Sequence, residues 1–197
     1  MSKPTILLTG ATGFLGSKIM ESLLNQNYPV VLLKRSTSNL WRIKHLIKFA
    51  KSYNIDAISL DRAFIDQKIN SVIHTACQYD RSGQSIQQIA ESNLIFGLKI
   101  LDTCLKFKTN TFFNIDTLLQ KNLNTYTLSK KQFVEWLKLK STQIQIVNLK
   151  IDMMYGPKDD TNKLIPWVIS ELKRNVPDIK LTKGDQKRDF IYVDDVV

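Results

Sequence analysis

Tyr126 and Lys130 stand four residues apart in the stretch YTLSK, a spacing that puts both side chains on one face of a helix. A phenol titrates near ~10 and moves protons poorly at neutral pH, but an ammonium beside it stabilises the phenolate and makes proton transfer accessible. A second cluster, LTGATGFLG at 8–16, holds three of the chain's seven glycines. Gly10 would permit a tight turn, Gly13 would let a ligand approach the backbone, and Gly16 would let a following helix pack closely on the preceding strand. Such a turn aims helix N–H groups and the positive dipole end at a diphosphate. Gly10, Thr12, Gly13, Phe14, Leu15 and Gly16 are therefore candidate dinucleotide-binding residues.

Strands and helices in strict alternation must position these groups. Thr5–Thr9 reads as a buried strand, 13–25 carries Phe14, Leu15, Ile19, Leu23 and Leu24 at helical spacing, and 29–33 is another apolar strand. Together they make a βαβ unit of the expected ~30 residues, so the glycine turn follows a strand and opens a helix. Further strands are expected at 71–74, 111–115 and 144–151, with one helix over 85–106 and another over 126–140. This order predicts a parallel sheet covered on both faces, a Rossmann-like doubly wound α/β fold. After Tyr155-Gly156-Pro157 the composition turns loopier, with a helix near 164–174 and a short strand near 190–193. The expected organisation is an NAD(P)-binding domain over 1–155, with 156–197 as the part that a family resemblance makes the start of an incomplete substrate-binding region.

Composition narrows the class. Hydrophobic content of 43% and charged content of 23% fit a folded, water-soluble chain. The N-terminus lacks a secretory core and no stretch approaches the roughly 18 apolar residues of a membrane span, so a cytoplasmic address is expected. Cys77 and Cys104 lack a C-x-x-C partner and read as buried, reduced thiols. The net charge of +10 is spread along the chain without arginine-aromatic interleaving, which argues against a nucleic-acid partner and for attraction of a phosphorylated small substrate. With only His45 as a second histidine, His74 reads as a packing and hydrogen-bonding residue, and no metal site is expected.

TGATGFLG, YTLSK, MYGPKDD at 154–160 and RDFIYVDDVV at 188–197 together resemble the extended short-chain dehydrogenase/reductase family, the NAD-dependent epimerases, dehydratases and reductases of nucleotide sugars. The likeness runs along the whole chain in the right order. It implies catalytic roles for Thr117, Tyr126 and Lys130: the threonine hydrogen-bonds the substrate oxygen, the tyrosine shuttles the proton, and the lysine also holds the nicotinamide ribose. Taken alone, Thr117 would more often be a helix or turn cap; in company with Tyr126 and Lys130 the catalytic role is favoured. VIHTAC at 72–77 resembles the family segment whose backbone lines the cofactor, which places Thr75 and Ala76 there. Asn93 matches an asparagine that organises the active site, the other reading being a helix-surface residue. Asp56 would hold the adenine amino group, or be an exposed loop aspartate. At the end of the second strand Lys34, Arg35 and Ser36 offer two cations and a hydroxyl where NAD-preferring chains carry a carboxylate. That favours NADP(H), with NAD(H) possible; a solvated surface pair is the alternative.

Departures from the family pattern sharpen the reading. Dehydratases carry an Asp-Glu pair just after the catalytic threonine, where this chain has Leu118 and Leu119, so dehydration is disfavoured. The stretch from Thr117 to Tyr126 is also shorter than in most epimerases. LLKRSTSNLWRI, VIHTACQYDR and NLNTYTLSKKQFVEWLK look most like the cytidine-diphosphate-sugar 4-ketoreductases. The resemblance implies reduction of the C4 ketone of CDP-4-dehydro-3,6-dideoxy-glucose by NADPH, in the lipopolysaccharide O-antigen precursor pathway. A nucleotide-sugar 4-epimerase with bound NAD, or an inactive NADP(H)-binding fragment, are the alternatives. A chain cut short at Val197 is expected from the missing family segments, and a homodimer is compatible with family habit.

Overall fold

A computed structural model describes residues 3–80 and 83–197. Its centre is a six-stranded parallel sheet in the order β3-β2-β1-β4-β5-β6. The strands are β1 (Thr5–Thr9), β2 (Val30–Lys34), β3 (Lys51–Asn54), β4 (Ile69–His74), β5 (Thr111–Thr117) and β6 (Gln145–Ile151). The chain winds outward from β1 to β3, returns to the middle and winds outward again from β4 to β6. Strand order therefore reverses between β1 and β4, and the crevice beyond their carboxyl ends is where ligands of such sheets bind. Thr9 lies opposite His74 there, with His74 opposite Asn114 on β5.

The apolar runs in β1 and β2 exist because both faces of the sheet are covered. Leu7, Leu8, Val31, Leu32, Val72 and Phe112 are buried to within about a percent of completely, each contributing roughly 1.5–3 kcal/mol. Helices α1 (Phe14–Asn25), α2 (Leu60–Asp66), α3 (Ile86–Ala90), α4 (Phe96–Lys106) and α5 (Thr125–Lys140) connect the strands. Ile100, Leu101 and Cys104 of α4 and Phe133 and Leu137 of α5 belong to the same core cluster as Leu7 and Phe112.

The doubly wound α/β fold expected from the alternation of elements is present, with one local difference. The helix expected over 85–106 is interrupted by a π-helical turn, Glu91–Ile95, between α3 and α4. A π turn adds one residue to the winding while apolar spacing on either side stays helical, so periodicity alone reads through it. Such turns concentrate at functional sites, and this one carries Asn93.

The chain divides into two compact units, one ending at Ile151 and the other beginning at Asp152. In the second, β7 (Met153–Tyr155) pairs in parallel with β8 (Phe190–Tyr192), accompanied by α6 (Leu164–Lys173) and α7 (Val193–Val196). Tyr155 packs its ring edge-on against Phe190 and Tyr192. No helix among the described residues is long and apolar enough to cross a membrane.

Candidate active site

The turn after β1 is built around backbone contacts that exclude side chains. Gly10 has a φ of 70°, and a Cβ there would stand 2.6 Å from the backbone nitrogen of Ala76 and from Thr75 Oγ1. At Gly16 a Cβ would lie 2.2 Å from the Gly10 carbonyl oxygen, so α1 can approach the turn only as glycine. Gly13 is different: among the described residues a Cβ there would meet just that same carbonyl, at 3.2 Å, and as the residue preceding α1 it gives the helix no side-chain cap. First-turn N–H groups left without a cap suit an anion, so the cradle fits the diphosphate of a dinucleotide.

The β4 side of the cradle is locked by hydrogen bonds. Thr75 Oγ1 donates to the Thr9 carbonyl at 2.8 Å, and the Ala76 N–H donates to Thr9 Oγ1 at 3.3 Å. Thr9 Oγ1 also bonds His74 Nδ1 at 2.9 Å. His74 is fully buried among the rings of Phe96, Phe112 and Phe133. Burial, with the nearby Lys130 charge, pushes its pKa down to about 3, which keeps the imidazole neutral and makes it a packing residue.

Across the crevice, α5 begins with a reciprocal cap: Asn124 Oδ1 accepts from the Thr127 N–H at 2.9 Å, and Thr127 Oγ1 accepts from the Asn124 N–H at 3.1 Å. This cap sets Tyr126 in the first helical turn and Lys130 one turn on, as the spacing predicts. Lys130 is 3% exposed and makes no hydrogen bond or ion pair among the described residues. Burial holds its pKa below the ordinary lysine value, opposed by Cys77 and Asp116. A buried ammonium without a partner is an expensive arrangement unless a ligand completes it.

Thr117 is buried at the carboxyl end of β5, where its Oγ1 accepts from the Leu119 N–H at 3.2 Å. The turn-capping reading therefore holds, and accepting that bond leaves the hydroxyl proton available to a ligand oxygen. The strand end is strapped to α5: Lys131 Nζ donates to Asp116 Oδ2 at 2.8 Å and also to the Thr117 carbonyl. Asn148 of β6 donates to the same Asp116 oxygen at 3.2 Å and accepts from Asn114 at 2.7 Å.

Asn93 is buried to 1% exposure, which removes the surface reading. Its Oδ1 accepts from the Gln78 N–H at 2.7 Å, and its Nδ2 donates to the Gln78 carbonyl at 2.9 Å and to Ser129 Oγ at 3.1 Å. Ser129 Oγ in turn donates to the Tyr126 carbonyl at 2.9 Å. One amide thus joins the π turn, the β4 loop and α5.

At the end of β2 the cations are not all solvent-facing. Lys34 Nζ donates to Asn54 Oδ1 at 2.5 Å, while Arg35 is exposed. Asp56 accepts from the Ser36 N–H at 2.9 and 3.1 Å and from its hydroxyl, and those bonds hold its carboxyl below the usual range. Asp56, just beyond β3, thus places a carboxylate beside the end of β2.

Residues 6–197 match the NAD dependent epimerase/dehydratase family. The chain belongs to this family. It is 32% identical over 201 residues to a CDP-abequose synthase of Salmonella muenchen, covering 98% of this chain and 67% of that relative. Among solved structures, UDP-glucose 4-epimerase from Thermotoga maritima with UDP-glucose superposes with a TM-score of 0.85 at 22% identity, covering 98% of this chain and 70% of that one. UDP-glucuronic acid 4-epimerase from Bacillus cereus, in complex with UDP-glucuronic acid and NAD, gives 0.81 at 25% identity with the same two coverages. The chain is thus an enzyme of the NAD-dependent epimerase/dehydratase type, with the parallel α/β fold of those neighbours.

Sequence reasoning missed several partners in this epimerase/dehydratase site. Arg42 Nη1 donates to the Thr12 carbonyl at 3.4 Å and stacks on Trp41, bringing a cation to the glycine turn from a loop with no periodic signal. The contributions of Ser129 and Lys131 depend on which strand end α5 meets, which local sequence does not encode. Cys104 is buried as expected, whereas Cys77 is half-buried on the β4 loop.

Proposed function

We propose that the protein catalyses NADPH-dependent reduction of the C4 ketone of a CDP-linked 4-dehydro-dideoxyhexose, making a nucleotide-sugar precursor of a bacterial surface polysaccharide. The observation that carries the reading is Lys130, a buried ammonium without a hydrogen-bond or ion-pair partner among the described residues, one turn from Tyr126, in a chain 32% identical to a CDP-abequose synthase. Gly10, Thr12, Gly13, Phe14, Leu15 and Gly16 would hold the diphosphate, with Thr75 and Ala76 on the opposite wall; Asn93 keeps that wall in place. NADPH, when bound, supplies the hydride. Thr117 hydrogen-bonds the ketone oxygen and polarises the carbonyl, Tyr126 transfers its proton to the alkoxide, and Lys130 stabilises the phenolate that remains. Leu118 and Leu119 provide no acid or base for removing water from the sugar. The positive net charge favours encounter with a substrate bearing a diphosphate.

Lys34, Arg35, Ser36 and Arg42 support NADPH as the preferred carrier. Asp56 favours a second reading, a 4-epimerase with tightly held NAD, because its carboxylate stands at the Ser36 N–H where ribose hydroxyls are read. Fluorescence titration separates the two: NADPH should bind about tenfold or more tightly than NADH, and Lys34→Ala/Arg35→Ala should erase the difference. Equal affinities untouched by the double change would overturn the NADPH assignment. With keto-sugar added, a reductase consumes NADPH and Tyr126→Phe abolishes turnover, whereas an epimerase needs no added reductant and releases NAD on denaturation.

A further inference from the structure

The loop after β4 turns a second aromatic ring toward the site. Tyr79 is 38% exposed, and its ring packs on that of Tyr126 with centroids 5.0 Å apart and planes tilted by 35°. Offset contacts of this kind are favourable and directional. The residue before it, Gln78, is gripped at both its N–H and its carbonyl by Asn93, which fixes the backbone from which Tyr79 projects. The same Asn93 amide reaches Ser129, whose hydroxyl holds the Tyr126 carbonyl. Both rings therefore hang from one buried side chain of the π turn, each through one intermediate residue, Gln78 or Ser129.

We propose that Tyr79 is a positioning residue for Tyr126: its ring restricts the rotation of the Tyr126 side chain and keeps the phenol directed at the reacting oxygen. This rests on the reading of Tyr126 as the proton donor. The role belongs to the ring and not to the Tyr79 hydroxyl, because the contact is between ring planes. Loss of orientation at a reacting group lowers the rate of the chemical step while leaving ground-state binding of remote parts unaffected.

Tyr79→Phe and Tyr79→Ala in the full chain test this, and the partial exposure of residue 79 makes both variants compatible with folding. With 13C-labelled tyrosine rings, the Tyr126 signals are identified by their loss in Tyr126→Phe. They should keep their shifts in Tyr79→Phe and move toward the values of free tyrosine in Tyr79→Ala. NADPH affinity by fluorescence should stay within about twofold in both. With the keto-sugar, kcat should fall about tenfold or more in Tyr79→Ala with KM little changed, and recover in Tyr79→Phe. Unmoved Tyr126 signals in the alanine variant, an unchanged kcat, or equal impairment in the two variants would overturn the proposal. Turnover that survives Tyr126→Phe would instead sink the parent reading, and the ring signals, which need no turnover, tell the two failures apart.

Discussion

Lys130 shows how a single residue can be unfavourable for folding and favourable for function. An ammonium taken out of water loses hydration, and here no carboxylate or carbonyl among the described residues replaces it. A shape-matched apolar side chain removes that penalty. Lys130→Met should therefore leave the unliganded protein more stable, by about 1 kcal/mol or more in urea unfolding, while weakening NADPH binding about tenfold or more. A variant that lost stability and kept full affinity would mean that the ammonium is satisfied within the fold. Thr117 is the complementary case, since its acceptor side is used by Leu119 and its donor side has no partner among the described residues.

At the scale of elements, the π turn between α3 and α4 decides how the β4 loop meets α5. Asn93→Ala would strip three hydrogen bonds at once, leaving the backbone N–H and carbonyl of Gln78 and the Ser129 hydroxyl without that partner. Each buried polar group so exposed costs about 1–3 kcal/mol, less whatever water recovers. Chemical denaturation should show a loss of about 2–4 kcal/mol, and kcat should fall more than NADPH affinity because Tyr126 is released from two sides. Asn93→Asp retains one acceptor and should recover only the bond to the Gln78 N–H. The elements themselves were legible: β1 was anticipated to the residue, and α5 to one residue at its start, because buried parallel strands and capped helices leave strong local patterns. The π turn was not, since one extra residue leaves the apolar spacing intact. The pairings of Asp56 and Arg42 were not legible for another reason. Their partners, Ser36 and Thr12, lie 20 and 30 residues away, so only tertiary pairing brings them together.

For the molecule as a whole, His74 ties stability to pH. It lies at the reversal of strand order, bonded to Thr9 and enclosed by three aromatic rings from α4, β5 and α5, so it cannot be charged without opening the core. Its folded pKa of about 3 lies below the ordinary histidine value of 6.5. Between those values the unfolded chain takes up a proton that the folded one refuses, so the contribution is fully present above about pH 6.5 and is lost as pH falls toward 3. One such group makes stability drop by about 1.4 kcal/mol per pH unit in that window. Urea unfolding stepped from about pH 7 to pH 4.5 should show this slope, and His74→Asn should flatten it by that amount while starting from a lower stability at neutral pH. Carboxylates add their own acid sensitivity in both proteins, so the difference between the two slopes isolates the histidine. Identical slopes would mean that the imidazole reaches water in the native state, and the locked junction of β1 with β4 that forms one wall of the dinucleotide cradle would have to be looser than its hydrogen bonds require.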